Sequence, residues 1–241
     1  MLTVNYKILN IRDGDVVLDV GCGEGRHSIE ACRSAHCTVC ALDLDQKNAV
    51  TTKYFLSVMD DDGRNHSQWL SVRGNAMSMP FPDACFDKII CSEVLEHIPN
   101  DKQVIDELKR ILKDEGILAV SVPSYFSETI YWSMSRQYHN QPGGHIRKYR
   151  FKQLISILRD SGFNVFNTHR EHALHVPYWF LRCLFGINRE QAFIPSIYHR
   201  FLVWDIKTGT KPIRLLEKAL NPAFGKSIVL YARKNMATGV Q

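Results

Sequence analysis

The run Val16-Val17-Leu18-Asp19-Val20-Gly21-Cys22-Gly23-Glu24-Gly25 sets a carboxylate just ahead of three glycines at alternate positions. Its apolar, β-branched start reads as a buried strand. The glycines read as a tight turn into a helix over about residues 25–34. Glycine lets a backbone turn sharply and come close to a ligand. The first N–H groups of the next helix then face whatever sits on the turn. This is a nucleotide-type site on a doubly wound α/β sheet. Two features separate it from the dinucleotide fingerprint. The third glycine follows the second by two residues rather than three, and Asp19 stands before the first. That carboxylate repels a pyrophosphate and suits a ligand that carries an ammonium group.

Further motifs follow in order. Asp43 ends a second apolar run, Ala41-Leu42-Asp43-Leu44-Asp45. Then come Gly74-Asn75-Ala76-Met77-Ser78-Met79-Pro80-Phe81-Pro82-Asp83, Phe86-Asp87-Lys88-Ile89-Ile90-Cys91-Ser92-Glu93-Val94-Leu95-Glu96-His97-Ile98, and Leu108-Lys109-Arg110-Ile111-Leu112-Lys113-Asp114-Glu115-Gly116-Ile117-Leu118. Together they resemble the class I S-adenosylmethionine (SAM)-dependent methyltransferases, in the small-molecule, type 11-like group. The resemblance covers about residues 10–125, and less tightly 145–169.

It implies SAM as cofactor and S-adenosylhomocysteine as product, and it implies roles for particular residues. Gly21, Cys22, Gly23 and Gly25 form the turn under the methionine portion. Asp19 faces the cofactor ammonium or, alternatively, bonds turn amides. Asp43 accepts the ribose hydroxyls, and Leu44 packs on the adenine. Asp45 is a helix N-cap. Asn75 stands where the family more often has aspartate; its oxygen can accept from the adenine amine, but without charge. Ala76 and Met77 flank it with backbone contacts. Ser92 and Glu93 touch the methionine end. His97 is typical of the family at its turn and reads as structural before catalytic. Asp87 begins its strand and is expected to fix a turn.

The elements that must position these residues follow from periodicity. Strands are predicted at about 16–20, 38–43, 69–73, 86–92, 116–122, 163–169 and 226–233, and helices at 25–34, 46–60, 101–113 and 151–161. Alternation of this kind implies βαβ units and a mostly parallel sheet of about seven strands. The resemblance adds that the last strand is antiparallel and lies between the fifth and sixth. The fold expected is a Rossmann-like doubly wound α/β domain over residues 1–241, with a lid or insertion.

The chain has 241 residues and a net charge of +5, with no low-complexity run. That length suits one large α/β domain. No apolar signal region opens the sequence and no run has membrane-spanning length. The seven scattered cysteines suit a reducing cytoplasm. Cys37 and Cys40 form a CxxC pattern, but on a strand they point to opposite faces. They are read as ordinary thiols.

Two stretches exceed what the sheet needs. Residues 123–147 and 170–224 are rich in aromatics and histidine. Both are read as substrate enclosure, with plain packing as the alternative; for 170–224 a dimer surface or contact with a bilayer also stays open.

Methyl transfer to an alcohol or phenol needs proton removal, and histidine is the usual base near neutral pH. His139, His145, His172 and His175 are candidates. His145 is favoured, because glycines place it on a flexible loop before the helix at about 151–161. A histidine that only closes the loop over the cofactor is the alternative. His172 and His175 stand three apart at the start of the long insertion. No carboxylate pattern accompanies the histidines, so no metal is expected.

The fourth-strand turn lacks the Asn/Asp-Pro-Pro-aromatic and Pro-Cys runs of nucleic-acid methyltransferases, and there is no basic stripe. A small-molecule acceptor is expected, and O-methylation leads. N- or C-methylation of a lipid or quinone-type acceptor stays open, as does a non-catalytic SAM-binding partner subunit.

Overall fold

The computed structural model describes residues 2–63, 67–141, 143–187 and 192–235. Seven strands form its sheet: β1 (Val16–Val20), β2 (Thr38–Asp43), β3 (Gln68–Arg73), β4 (Phe86–Ser92), β5 (Leu112–Pro123), β6 (Phe163–Glu171) and β7 (Ser227–Lys234). Their order is β3-β2-β1-β4-β5-β7-β6. β1 pairs in parallel with both β2 and β4, and β4 with β5. β7 is antiparallel to β5 and to β6, between which it lies. The last strand thus sits where the resemblance put it. The strand order reverses between β1 and β4, which opens a crevice at their carboxyl ends.

Strands buried on both faces need apolar residues at every position. Leu18, Val20, Cys40, Leu42, Ile89 and Leu118 face one core, which α4 (Asp101–Ile111) and α7 (Phe151–Asp160) close with Val104, Leu108, Leu154 and Leu158. Val17, Val39, Ile90 and Tyr231 face the other, closed by Ala31 of α2 (Arg26–Ser34) and by Leu56 of α3 (Gln46–Asp61), with Leu9 of α1 (Tyr6–Leu9). Cys37 and Cys40 fall in different cores, as strand alternation requires. Burial pushes the Cys40 thiol up to about 12.

The strand expected from residue 116 begins at Leu112. Leu112 pairs with Phe86, and the register shifts before Lys88 meets Ile117. The helix ahead of it therefore stops at Ile111 rather than 113.

The two extra stretches are mostly helical. The first holds α5 (Tyr125–Met134) and α6 (Arg136–His139). The second holds α8 (His175–Phe185), α9 (Phe193–Thr208) and α10 (Lys211–Phe224). Tyr131, Tyr138, Cys183 and Ile187 join these stretches in a small core of their own, with Trp132 and Trp179 against it. Among the described residues, no helix is long and apolar enough to cross a membrane.

Candidate active site

A cavity of about 420 Å³ opens at the β1–β4 crevice. The glycine turn forms its floor. Gly21 N and Cys22 N donate to Leu42 O at 2.7 and 3.1 Å. Gly23 N donates to Asp43 Oδ2 at 2.9 Å, so the acid that ends β2 clamps the turn that follows β1. Gly21 has φ +66°, and a Cβ there would stand 2.4 Å from Val94 Cγ2. Gly23 has φ +55°, and a Cβ there would meet nothing within 4 Å. One glycine is needed for packing. The other leaves bare backbone toward the cavity.

Asp43 also accepts from Asp45 N at 2.9 Å and Asn48 Nδ2 at 3.3 Å. A carboxylate has roughly four acceptor positions, so about one stays open on Asp43. Leu44 lines the cavity and is 63% exposed, an apolar plate without a cover. Gly74, Asn75, Ala76 and Met77 form the adjacent wall. Asn75 Oδ1 accepts from Met77 N at 2.9 Å, which leaves its second lone pair open. Asp45 caps α3 through Lys47 N, as expected.

Of the other expected cofactor residues, Asp19, Cys22, Gly25 and Ser92 lie behind this wall. Asp19 is buried, and its Oδ2 accepts from Ser28 Oγ at 2.7 Å. Burial pushes its carboxyl up to about 6. The bond it makes is to Ser28 rather than to turn amides, and it ties α2 to β1. Cys22 is buried beside Thr52, with its thiol pushed up to about 12 by burial and by the charge of Asp19. Gly25, at φ +82°, caps α2. Ser92 Oγ lies 2.9 Å from Ser121 Oγ. Glu93 lines the cavity at φ +58°, a left-handed conformation that non-glycine residues rarely adopt. Asp87 accepts from Val16 N and Lys113 Nζ, fixing the start of β4.

A single turn of 3-10 helix, Leu95–His97, follows β4 and carries the chain along the cavity wall. His97 lines the cavity. Its ring lies edge-on to His145, with centroids 4.9 Å apart. His97 Nδ1 is 3.1 Å from Gly144 O, and His145 Nδ1 is 2.8 Å from Glu128 Oε2. Glu128, on α5, also accepts from Tyr138 Oη at 2.9 Å and Trp132 Nε1 at 3.1 Å. Burial opposes charge on Glu128, but the bonds from His145 and Tyr138 outweigh it and hold its carboxyl below the usual range. Glu96 is fully buried, and neither of its oxygens has a hydrogen-bond partner. Burial, and then the charge of Glu93, hold its carboxyl well above the usual range.

The segment carrying His145 is anchored, which corrects the expectation of a flexible loop. Ile146 N donates to Glu96 O at 2.9 Å. Arg147 bonds Pro99 O and the Asp101 carboxylate. Tyr149 Oη donates to Asp101 Oδ2 at 2.5 Å. The glycines let the chain turn, and these bonds then lock it onto the 3-10 turn.

His172 and His175 are not part of this group, and neither lines the cavity. Their rings lie 5.7 Å apart, and His172 Nε2 is 3.3 Å from Thr3 Oγ1. Burial, with the neighbouring charges of His175, Lys226 and Arg26, drives His172 down to about 2. Burial and Lys226 drive His175 down to about 4. Rings that hold a proton so weakly are poor bases near neutral pH. His139 lies tilted against Trp132, with ring centroids 4.1 Å apart. Sequence reasoning missed Glu96 and Glu128. Glu96 adjoins His97 and was visible as a Glu-His pair, whereas Glu128 carried no local signal.

A glycine turn clamped by the acid that ends β2, at the switch point of a 3-2-1-4-5-7-6 sheet, defines the class I methyltransferase type. A family model described as "Methyltransferase domain" matches residues 4–168, and the chain belongs to that family. SAM is the cofactor this class carries. The open backbone at Gly23, the free acceptor capacity of Asp43 and the bare face of Leu44 fit it.

The chain is 37% identical over 113 residues to a sterol 24-C-methyltransferase of Eremothecium gossypii, covering 46% of this chain and 28% of that one. It is 31% identical over 113 residues to the 27-O-demethylrifamycin SV methyltransferase of Amycolatopsis mediterranei, covering 47% and 40%. The chain therefore matches well under half the length of these relatives. The crystal structure of a putative methyltransferase from Bacillus halodurans superimposes with a TM-score of 0.63 at 22% identity, covering 96% of this chain and 97% of that one.

Proposed function

We propose that this chain transfers a methyl group from SAM to a hydroxyl of a small-molecule acceptor. The observation that carries the reading is the His145–Glu128 pair, set against His97 on the cavity wall. When bound, SAM supplies a methyl group on a positively charged sulfur. In this reading the glycine turn and Asp43 fix the cofactor, and the histidine cluster activates the acceptor. Bound SAM would supply the methyl group and leave as S-adenosylhomocysteine, while the histidine cluster would draw the acceptor's hydroxyl proton away toward solvent. Alignment supplies much of the rate, and proton removal typically a further 10²–10⁴-fold.

The chain is read as one methyltransferase unit. Residues 123–147 and 170–224 are its acceptor-side additions. α8 to α10 present Leu184, Phe193, Ile197 and Leu215 to the surface, and this face suits enclosure of an apolar acceptor or a homodimer contact. The free cysteines suit a cytoplasmic setting. A second reading, C-methylation, draws support from the relative named a sterol 24-C-methyltransferase.

The test is transfer of labelled methyl from SAM to a panel of hydroxylated aromatics, sugars and sterols, by wild type and by His145→Gln. The expected result is transfer to a hydroxyl that the variant loses. Transfer to carbon that survives the substitution would replace this reading with the second one.

A further inference from the structure

We propose that Glu96, His97 and His145 form a binding site for a divalent transition-metal ion. One ligand atom from each of the three lies within 4.8 Å of the others. His97 Nε2 stands 4.0 Å from Glu96 Oε1. Metal–ligand bonds of about 2.0–2.2 Å put tetrahedral ligands roughly 3.4 Å apart, so a small inward rotation of the rings completes the site.

Three independent features point to an ion. Glu96 is fully buried, and both of its oxygens lack a hydrogen-bond partner. A buried carboxylate without partners is costly and needs an explanation. Metal-binding histidines almost always give their second nitrogen to a carbonyl or carboxylate, which fixes the ring. Both rings here do so: His97 Nδ1 to Gly144 O, and His145 Nδ1 to Glu128 Oε2. Each ring thus keeps Nε2 for the ion. Glu128 is itself held by Tyr138 and Trp132. Finally, the backbone that carries His145 is bonded to the backbone of Glu96.

Two imidazoles and one carboxylate suit Zn²⁺, Mn²⁺, Fe²⁺ or Co²⁺ better than Mg²⁺ or Ca²⁺. Three protein ligands leave coordination positions open. His97 is on the cavity wall, so those positions are available to an acceptor oxygen. This last step alone rests on the proposed methyltransferase reading of the cavity. It deepens that reading: the ion, held by His145, would lower the pKa of a bound hydroxyl, and the proton would pass to solvent rather than to either ring.

The experiment uses the full chain, stripped with chelator and titrated with Co²⁺ and Mn²⁺ by calorimetry and by visible absorption or paramagnetic resonance. S-adenosylhomocysteine is titrated into the same samples. Wild type is expected to take up about one equivalent of ion. Glu96→Gln and His145→Gln should each weaken binding by more than about 100-fold, since outer partners alone are worth 10–100-fold. Glu128→Gln should weaken it by about 10–100-fold. His145 is partly exposed, so its variant keeps the test open if Glu96→Gln does not fold. Ion binding that is absent in wild type, or unchanged in both ligand variants, overturns the site. Ion binding lost in the variants without any S-adenosylhomocysteine binding supports the metal site and removes the cofactor reading instead.

Discussion

Among the described residues, two pairs of histidines lie ring to ring, His97 with His145 and His172 with His175. Their centroid separations are alike, 4.9 and 5.7 Å. Their surroundings differ in sign. The first pair has Glu128 bonded to one ring and Glu96 beside the other. The second is buried near the positive charges of Lys226 and Arg26, and the His172 ring has a neutral hydroxyl, that of Thr3, as its hydrogen-bond partner. Burial and His145 lower His97 as well, so what sets the first pair apart is its carboxylate partners and its place at the cavity, whereas burial beside cations disfavours charge on the second. The residue type supplies the possibility of chemistry. The neighbours that the fold brings up decide it.

The largest expected effect that separates the pairs is on turnover. His145→Gln should lower kcat by about 10²–10⁴-fold. His172→Asn should leave kcat within a few-fold, and asparagine tolerates the φ of +70° at that position. Both are measured by labelled methyl transfer. Equal losses would erase the distinction.

The next effect is on stability against pH. His172 titrates near 2 in the fold and His175 near 4, against about 6.5 unfolded. The folded state therefore binds fewer protons. The stability these rings contribute is fully present above about 6.5. It is lost as pH falls, toward 4 for His175 and toward 2 for His172, by up to about 1.4 kcal/mol per pH unit for each ring. Asp19, raised to about 6, acts in the opposite direction, so the comparison must be between variants. Denaturant unfolding between pH 7 and 5 should show a shallower acid loss for His172→Asn than for wild type. An unchanged slope would mean that His172 is already charged in the fold.

The smallest effect concerns the clamp that gives the first pair its geometry. Tyr149→Phe removes the bond to Asp101 and should cost about 1–2 kcal/mol in unfolding. It should lower kcat through His145 more than it changes cofactor affinity. A loss confined to affinity would place the clamp's effect on the cofactor side.

The same contrast explains what could be read in advance. The cofactor half is built from local signals. Val16–Gly25 states strand, turn and helix in one run, and Asp43 ends the next strand, so both were legible along with the strand alternation. The antiparallel place of β7 came through resemblance alone. The histidine cluster rests on contacts between distant segments. Nothing near Glu128 in the sequence shows that it meets His145, and the glycines around His145 suggested mobility that Arg147 and Tyr149 remove. His172 and His175 looked paired because they are neighbours in sequence, but burial removed their proton affinity. α9 was missed because its mixed apolar and aromatic residues show no clean helical period; α10 has one, but prolines stand near both its ends, Pro212 and Pro222.

The central claim is that the glycine turn and Asp43 hold the cofactor. The direct measurement is calorimetric titration of S-adenosylhomocysteine into wild type and Asp43→Ala. We expect wild type to bind and the variant to bind about 100-fold more weakly, the loss of roughly 3 kcal/mol for bonds to a charged acceptor. A wild type that does not bind, or a variant that binds equally well, would contradict the account.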